Sequence, residues 1–505
     1  MTDSTSRFRF AVPSELASEI CKASGCDESS LPPQVRYLVD YVSDAEIQAR
    51  GLLIEDDYID RHYLEEYVAY YASKLRAPSP RCARIHIFQL PIVDDTLADW
   101  LARAAAGASS RDTLQRDLSA QYVGFIVVRP HAAAPIGRTL LRTFTGAADR
   151  CYAPAQTWHD VHILGLELSL QALPFQQQDR AVGACATTAL WTALSRVLRN
   201  DGARSVTPFE VTQAATRYIT YQRAIPAERG LTEDQINAAI RAFGYEPHHL
   251  SSQPTKLLRL CLKCYLLSGI PVLLDVANDD ISLRHAIVLC GFRPTEQGDS
   301  AATDIALKWS NGTELVSRNF TKVYAHDDRL GPYARMGLEL RHEQLRLKYL
   351  GDGGGDFDEE LIIHTAIVPL YRKLRLTAED LIQIACELLP NVADLAATTG
   401  SDSHRLTTEC FFSLGGKYLS EVVMQELDTD RRVRFVTHAR LSRYVGVVRF
   451  YLDRRWFLDV VVDTTDIYRH APHLGAILAL LPRQREHLEG LELICEVLRL
   501  SALLA

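Results

Sequence analysis

The residues best placed to do chemistry are Cys185, His285 and Asp327, in that chain order, with Gln178 just ahead of the cysteine. Cys185 follows Val182-Gly183-Ala184 and opens a stretch in which Leu190, Leu194, Val197 and Leu198 share one helical face. A cysteine at a helix N-terminus meets unpaired backbone amides and the positive end of the helix dipole, and both favour thiolate over thiol. His285 begins an apolar strand one hundred residues later, and Asp327 closes the strand-like run Phe320-Thr321-Lys322-Val323-Tyr324-Ala325-His326-Asp327. An imidazole can take the thiol proton and return it, and a carboxylate can hold the imidazole in place, which is the logic of an activated nucleophile. Gln178 lies in the loop before the helix, where its side-chain amide and the Cys185 backbone amide could stabilise an oxyanion together.

Each of these residues also has a structural reading. A cysteine opening a helix can be a core thiol, and a histidine on an apolar strand can be a satisfied core group. Asp327 has two rivals as the orienting group: its neighbour Asp328, and Asn311 in Trp309-Ser310-Asn311-Gly312. With Asp327 in that role, His326 and Asp328 read as solvent-facing or loop-packing residues, and Trp191 as a packing residue. Cys261 and Cys264 have CxxC spacing but sit in an apolar helical run with no second pair nearby, so they read as structural thiols. The run Gly351-Asp352-Gly353-Gly354-Gly355-Asp356 matches no EF-hand loop and precedes no Gly-Lys-Ser/Thr. It reads as a linker near a domain boundary.

The elements that must position these groups are partly legible. A helix is expected over 185–198, ending at Asn200-Asp201-Gly202. Thr207-Pro208-Phe209-Glu210 and Thr232-Glu233-Asp234-Gln235 are capping boxes that start two more helices, the second ending at Gly244. A buried helix over 257–267 leads to strands over 271–277 and 285–292. Nearer the N-terminus, 64–74 reads as helix, 84–90 and 122–129 as strands, 104–110 as a loop and 161–170 as a strand. Nearer the C-terminus, helices over 378–389 and 416–426 precede a hairpin, with strands 444–452 and 456–462 around Asp453-Arg454-Arg455.

The ordered set formed by the glutamine loop, Gly183-Ala184-Cys185-Ala186, Gly230-Leu231-Thr232, Gly269-Ile270-Pro271-Val272, His285-Ala286-Ile287-Val288 and Val323-Tyr324-Ala325-His326-Asp327-Asp328 resembles the papain-like cysteine peptidases. The nearest branch is the double-glycine leader peptidases and their stand-alone bacterial relatives. The resemblance covers about 160 of the 505 residues. It implies an α+β fold, in which a helical part carrying the nucleophile packs on an antiparallel sheet carrying the histidine and aspartate. It also implies that Cys185 attacks a peptide carbonyl, His285 shuttles the proton, Asp327 orients the imidazole and Gln178 lines the oxyanion hole. The family's glutamine stands six residues before the cysteine, whereas Gln178 stands seven before and Asp179 occupies the usual place. Three domains are expected: an α/β domain over 1–165 with no assigned role, the hydrolase over 166–345, and an α/β domain with the hairpin over 346–505.

Composition bounds the rest. A chain of 505 residues exceeds one ordinary core, which is why several domains are expected. A formal net charge of −8 gives no sign of a nucleic-acid footprint. No apolar run approaches the ~18 residues of a membrane helix, and the N-terminus lacks signal-peptide character. Eleven cysteines scattered over the chain argue against a disulfide framework and for a reducing compartment, here the bacterial cytoplasm. The expected function is hydrolysis of a peptide or isopeptide bond, with no metal or cofactor. The expected partners are a peptide or protein substrate and a protein bound through the flanking domains. Two alternatives stand beside it: an acyltransferase or deamidase of the same fold, transglutaminase-like or toxin-like, and an inactive papain-like binding module.

Overall fold

Every strand pairing described in this protein is antiparallel, and helices pack on the sheets, so the chain is α+β in the coarse sense expected. The computed structural model describes residues 7–143, 154–178, 185–218, 230–250, 254–281, 283–294, 304–310, 312–351, 359–397, 406–425, 429–439, 441–465 and 474–479.

The first sheet is a meander of β1 (Phe8–Ala11), β2 (Gly51–Tyr58), β3 (Cys82–Phe88), β4 (Tyr122–Val128) and β5 (Ile136–Leu141), in that order. Strands β3 and β4 are buried along their whole length, because both faces of the sheet are covered. On one face Leu52, Ile54, Ile85 and Ile126 pack with α1 (Leu16–Ser24) and α2 (Pro33–Ser43). On the other, Leu53, Phe88 and Phe125 pack with α4 (Asp94–Ala105), α5 (Ala108–Gln121) and a hairpin of β6 (Thr157–Ile163) and β7 (Leu166–Ala172). A short α3 (Arg61–Glu66) follows β2, capped by the Asp60 carboxylate. It continues only as a π-turn over Tyr67–Tyr71, where a helix to 74 is expected.

Two expectations in this region are corrected. Residues 161–170 are not one strand, because Leu164 and Gly165 turn the chain back with φ of 52° and 77°. Such values are those of a tight hairpin turn, which an apolar run around one glycine conceals. Residues 104–110 are mostly helical, since only Ala106 and Gly107 separate α4 from α5. Gly107, at φ 134°, supplies the break.

The middle of the chain gives α6 (Cys185–Asn200), α7 (Pro208–Thr216), α8 (Glu233–Ala242), β8 (Tyr245–His249), α9 (Thr255–Leu267), β9 (Val272–Ala277) and β10 (Arg284–Pro294). Both capping boxes form as read, with Thr207 accepting from Glu210 and Thr232 from Gln235. After the ribbon β11 (Ile305–Lys308) and β12 (Glu314–Ser317) come β13 (Phe320–Asp327), β14 (Gly331–Arg341), β15 (Gln344–Tyr349) and β16 (Glu360–Tyr371). Their order is β15-β14-β13-β10-β9-β16-β8, and β15 also pairs with β16, so six of the strands close on themselves with β8 outside. The central sheet therefore continues past residue 345 to Tyr371. Residues 352–356 of the expected linker lie outside the described residues.

The last region holds α10 (Ala378–Ala397), β17 (Leu406–Leu414), α11 (Gly415–Val423), α12 (Thr429–His438), β18 (Tyr444–Leu452), β19 (Arg455–Asp463) and β20 (Leu474–Ala479). The four strands form one sheet in chain order. Helix α10 runs through Pro390 rather than stopping at 389, because Val392, Leu395 and Ala396 continue its buried face. Asp453 and Arg454 alone make the hairpin turn, with φ of 48° and 68°, and Arg455 already pairs with Leu452. One continuous apolar core joins α1 and α2, α6, the closed sheet, α10 and the β18–β19 hairpin.

Candidate active site

Helix α6 lies against β10, which brings the first residue of one beside the second residue of the other. Those residues are Cys185, half-buried, and His285, buried, with the thiol near enough to help hold the imidazole charged. His285 Nε2 lies 2.8 Å from Asp327 Oδ1. Asp327 can reach across because β13 is the neighbour of β10, with His326 in register with Val288. Its carboxylate is fully buried and well supplied with donors. The Arg329 amide donates to Oδ1 at 2.9 Å, and the Tyr349 hydroxyl on β15 donates to Oδ2.

Burial alone would neutralise His285. The Asp327 and Asp328 carboxylates, with the hydrogen bond to Asp327 and the nearby Cys185 thiol, outweigh it and hold the pKa well above the ordinary imidazole value. Burial likewise opposes the charge on Asp327, but His285, Arg329 and the Tyr349 hydroxyl hold it below the usual carboxylate range. Asp328 sits 3.5 Å from His285 Nε2, and neither of its buried oxygens has a hydrogen-bond partner. Burial and the Asp327 charge push its carboxyl upward against the pull of His285.

Compared with known proteins, the chain matches no family model and no curated protein sequence. The site must therefore be read from its own geometry.

The structure brings Cys185, His285 and Asp327 together. Gln178 is half-buried and is the last described residue before Cys185, while Asp179 and the rest of 179–184 lie outside the described residues, as does Asn311. His326 is buried rather than solvent-facing. It receives the Tyr333 amide at Nδ1 (3.0 Å) and bonds the Leu173 carbonyl through Nε2 (3.1 Å), and burial pushes its pKa down to about 4. Trp191 is a buried packing residue whose indole N–H donates to the Val206 carbonyl. Cys261 and Cys264 are buried on α9, and burial raises both thiols well above their ordinary values.

Among the described residues, His285, Asp327 and Asp328 are close enough to share a cation, with ligand atoms within 4.8 Å of one another. The lone pairs of Asp327 are committed to His285, Arg329 and Tyr349, so the cluster fits an ion-paired triad better than a metal centre.

Several residues that no motif singled out hold this site from the first sheet. The loop before α6 pairs with β5, where Phe175 and Thr139 exchange two backbone hydrogen bonds of 2.8 and 2.9 Å. Buried Arg129 donates from Nη2 to the Gln177 carbonyl at 2.9 Å, and Gln176 donates to Glu66 at 3.0 Å. On the other side, α2 grips the turn after Asp327. Gln34 donates to the Asp328 carbonyl at 2.9 Å, and the Tyr37 hydroxyl donates to the Pro332 carbonyl at 2.8 Å. Only Arg329, two residues from Asp327, had a sequence signal, since an aspartate often caps the amide two residues on. The others are neighbours through tertiary structure alone.

Proposed function

We propose that the protein is a cysteine hydrolase that cleaves a peptide or isopeptide bond with Cys185, His285 and Asp327. The observation that supports this reading is a half-buried thiol beside a buried imidazole that is itself hydrogen-bonded to a buried carboxylate. In the mechanism, the Cys185 thiolate attacks the carbonyl carbon while imidazolium is stabilised by Asp327. His285 then gives its proton to the leaving amine, and the acyl-enzyme is released by water that His285 deprotonates. The Cys185 amide, with Gln178, would hold the oxyanion. All nine cysteines among the described residues are free thiols, and no described helix is long and apolar enough to cross a membrane, which fits work in a reducing cytoplasm on a peptide or protein substrate.

The test needs no known substrate at first. Cys26 is also only half-buried but has no histidine partner of this kind, so it serves as an internal standard. Iodoacetamide at neutral pH should label Cys185 well ahead of Cys26, and His285→Ala should abolish the difference. A peptide library should then show turnover that Cys185→Ala removes and His285→Ala reduces by roughly 10²–10⁴-fold. Equal labelling of the two thiols in the wild type would sink the assignment. Adding an amine acceptor separates hydrolysis from acyl transfer, because a cross-linked product requires the acyl-enzyme to pass to nitrogen.

A further inference from the structure

Asp328 has no part in the mechanism above, yet it is a second carboxylate at the same imidazole nitrogen. Its Oδ1 stands 3.5 Å from His285 Nε2, against 2.8 Å for Asp327 Oδ1. Gln34 on α2 pins its backbone carbonyl at 2.9 Å. Both carboxylate oxygens are buried, and neither accepts a hydrogen bond. Thr188 and Thr192 on α6 border the same small void, but their hydroxyls are committed to the Cys185 and Pro174 carbonyls, each at 3.0 Å. Gln176, also beside the void, gives its amide to Glu66 at 3.0 Å.

A buried carboxylate without donors is costly unless it faces a charge that needs it. Burial is the largest influence on Asp328 and lifts its carboxyl to about 6, so it is ionised at neutral pH. The His285 imidazolium attracts that charge, Asp327 repels it, and Arg329 on the same turn attracts it more weakly. Two carboxylates at one imidazole help at one stage and hinder at the next. While Cys185 attacks, an imidazolium beside the thiolate is the working form. Once the acyl-enzyme has formed, His285 must be neutral to take a proton from water. Each unit by which its midpoint stands above the working pH leaves about tenfold less of that form.

We propose that Asp328 is a positioning residue that acts through His285, keeping the imidazole protonated in the acyl-enzyme and so slowing release of the acyl group by water near neutral pH. The inference rests on the hydrolase reading. In the slowed step the water oxygen bonds to the acyl carbon and His285 takes the water proton. The carbon–sulfur bond then breaks, which frees the carboxylic acid and returns the Cys185 thiolate beside imidazolium.

The full chain and 4-nitrophenyl acetate test this. Displacement of 4-nitrophenolate by the Cys185 thiolate needs no proton, so a burst of about one equivalent should appear that Cys185→Ala lacks. After the excess ester is removed, loss of the acetyl group is followed by intact-mass spectrometry between pH 6 and pH 9. In Asp328→Asn the loss should be about threefold or more faster at pH 7, and its rise with pH should level off at a lower pH than in the wild type. Asp328→Ala should move both in the same direction, whereas a purely structural role would lower the burst and leave the pH profile in place. A burst equal in the wild type and Cys185→Ala overturns the hydrolase reading and this inference together. A Cys185-dependent burst, with acetyl loss in both Asp328 variants the same as in the wild type, overturns this inference alone.

Discussion

Asp327 and Asp328 approach one imidazole from a single turn, and the same burial leaves them in different states. Asp327 has donors from three residues and keeps its charge, whereas Asp328 has none and is driven toward its protonated form. Asp328→Asn keeps the shape and removes the second negative charge beside His285. The His285 midpoint, followed by NMR of the imidazole, should therefore move down; an unmoved midpoint would mean that Asp328 carries no charge in that range. The pair also shapes stability with pH. The folded His285 pKa lies above the unfolded value of about 6.5, so its contribution is complete below that pH and fades as pH climbs through the folded value. Asp327 behaves oppositely, contributing above about pH 4 and losing that as pH falls toward its depressed folded value. Urea unfolding should accordingly show His285→Ala costing most near pH 6 and progressively less toward pH 9. At this scale the sequence was informative, since residue type, order and strand ends are all written in it. Arg129, Gln34 and Tyr349 were not legible, because their roles depend on which strands and helices become neighbours.

Elements were readable where local chemistry decides them and opaque where packing does. The capping boxes at Thr207 and Thr232 are local, and both helices start there. The turn at Leu164-Gly165 and the passage of α10 through Pro390 are settled by the apolar surfaces they bury. The seat of α2 on the β13–β14 turn is of this second kind. Gly331 opens β14 directly beneath Tyr37, and a Cβ there would lie 2.0 Å from the ring. Gly331→Ala should cost about 1–3 kcal/mol by overpacking. Tyr37→Leu in the same chain should recover much of that loss, which a double-mutant cycle of urea midpoints measures. Simple additivity of the two changes would mean that the ring and the turn are not packed as described.

Three domains were expected from length, and one apolar cluster, from Ala11 to Val462, draws residues from all three spans. Differential scanning calorimetry should therefore show one dominant cooperative transition, with calorimetric and van't Hoff enthalpies in agreement; well-separated transitions for the first and last regions would refute a shared core. The contacts that close the candidate site are also distant in sequence, with Gln34 and the Asp328 carbonyl 294 residues apart. A ribosome extends a chain at roughly 5–20 residues per second, so the first sheet and α2 emerge well before Asp327 is made. During that interval a nascent chain already carries Cys185, but it has neither the orienting carboxylate nor the turn that α2 must grip. On the proposed chemistry, the thiol would stay unarmed among other half-made proteins until the last strands of the closed sheet arrive.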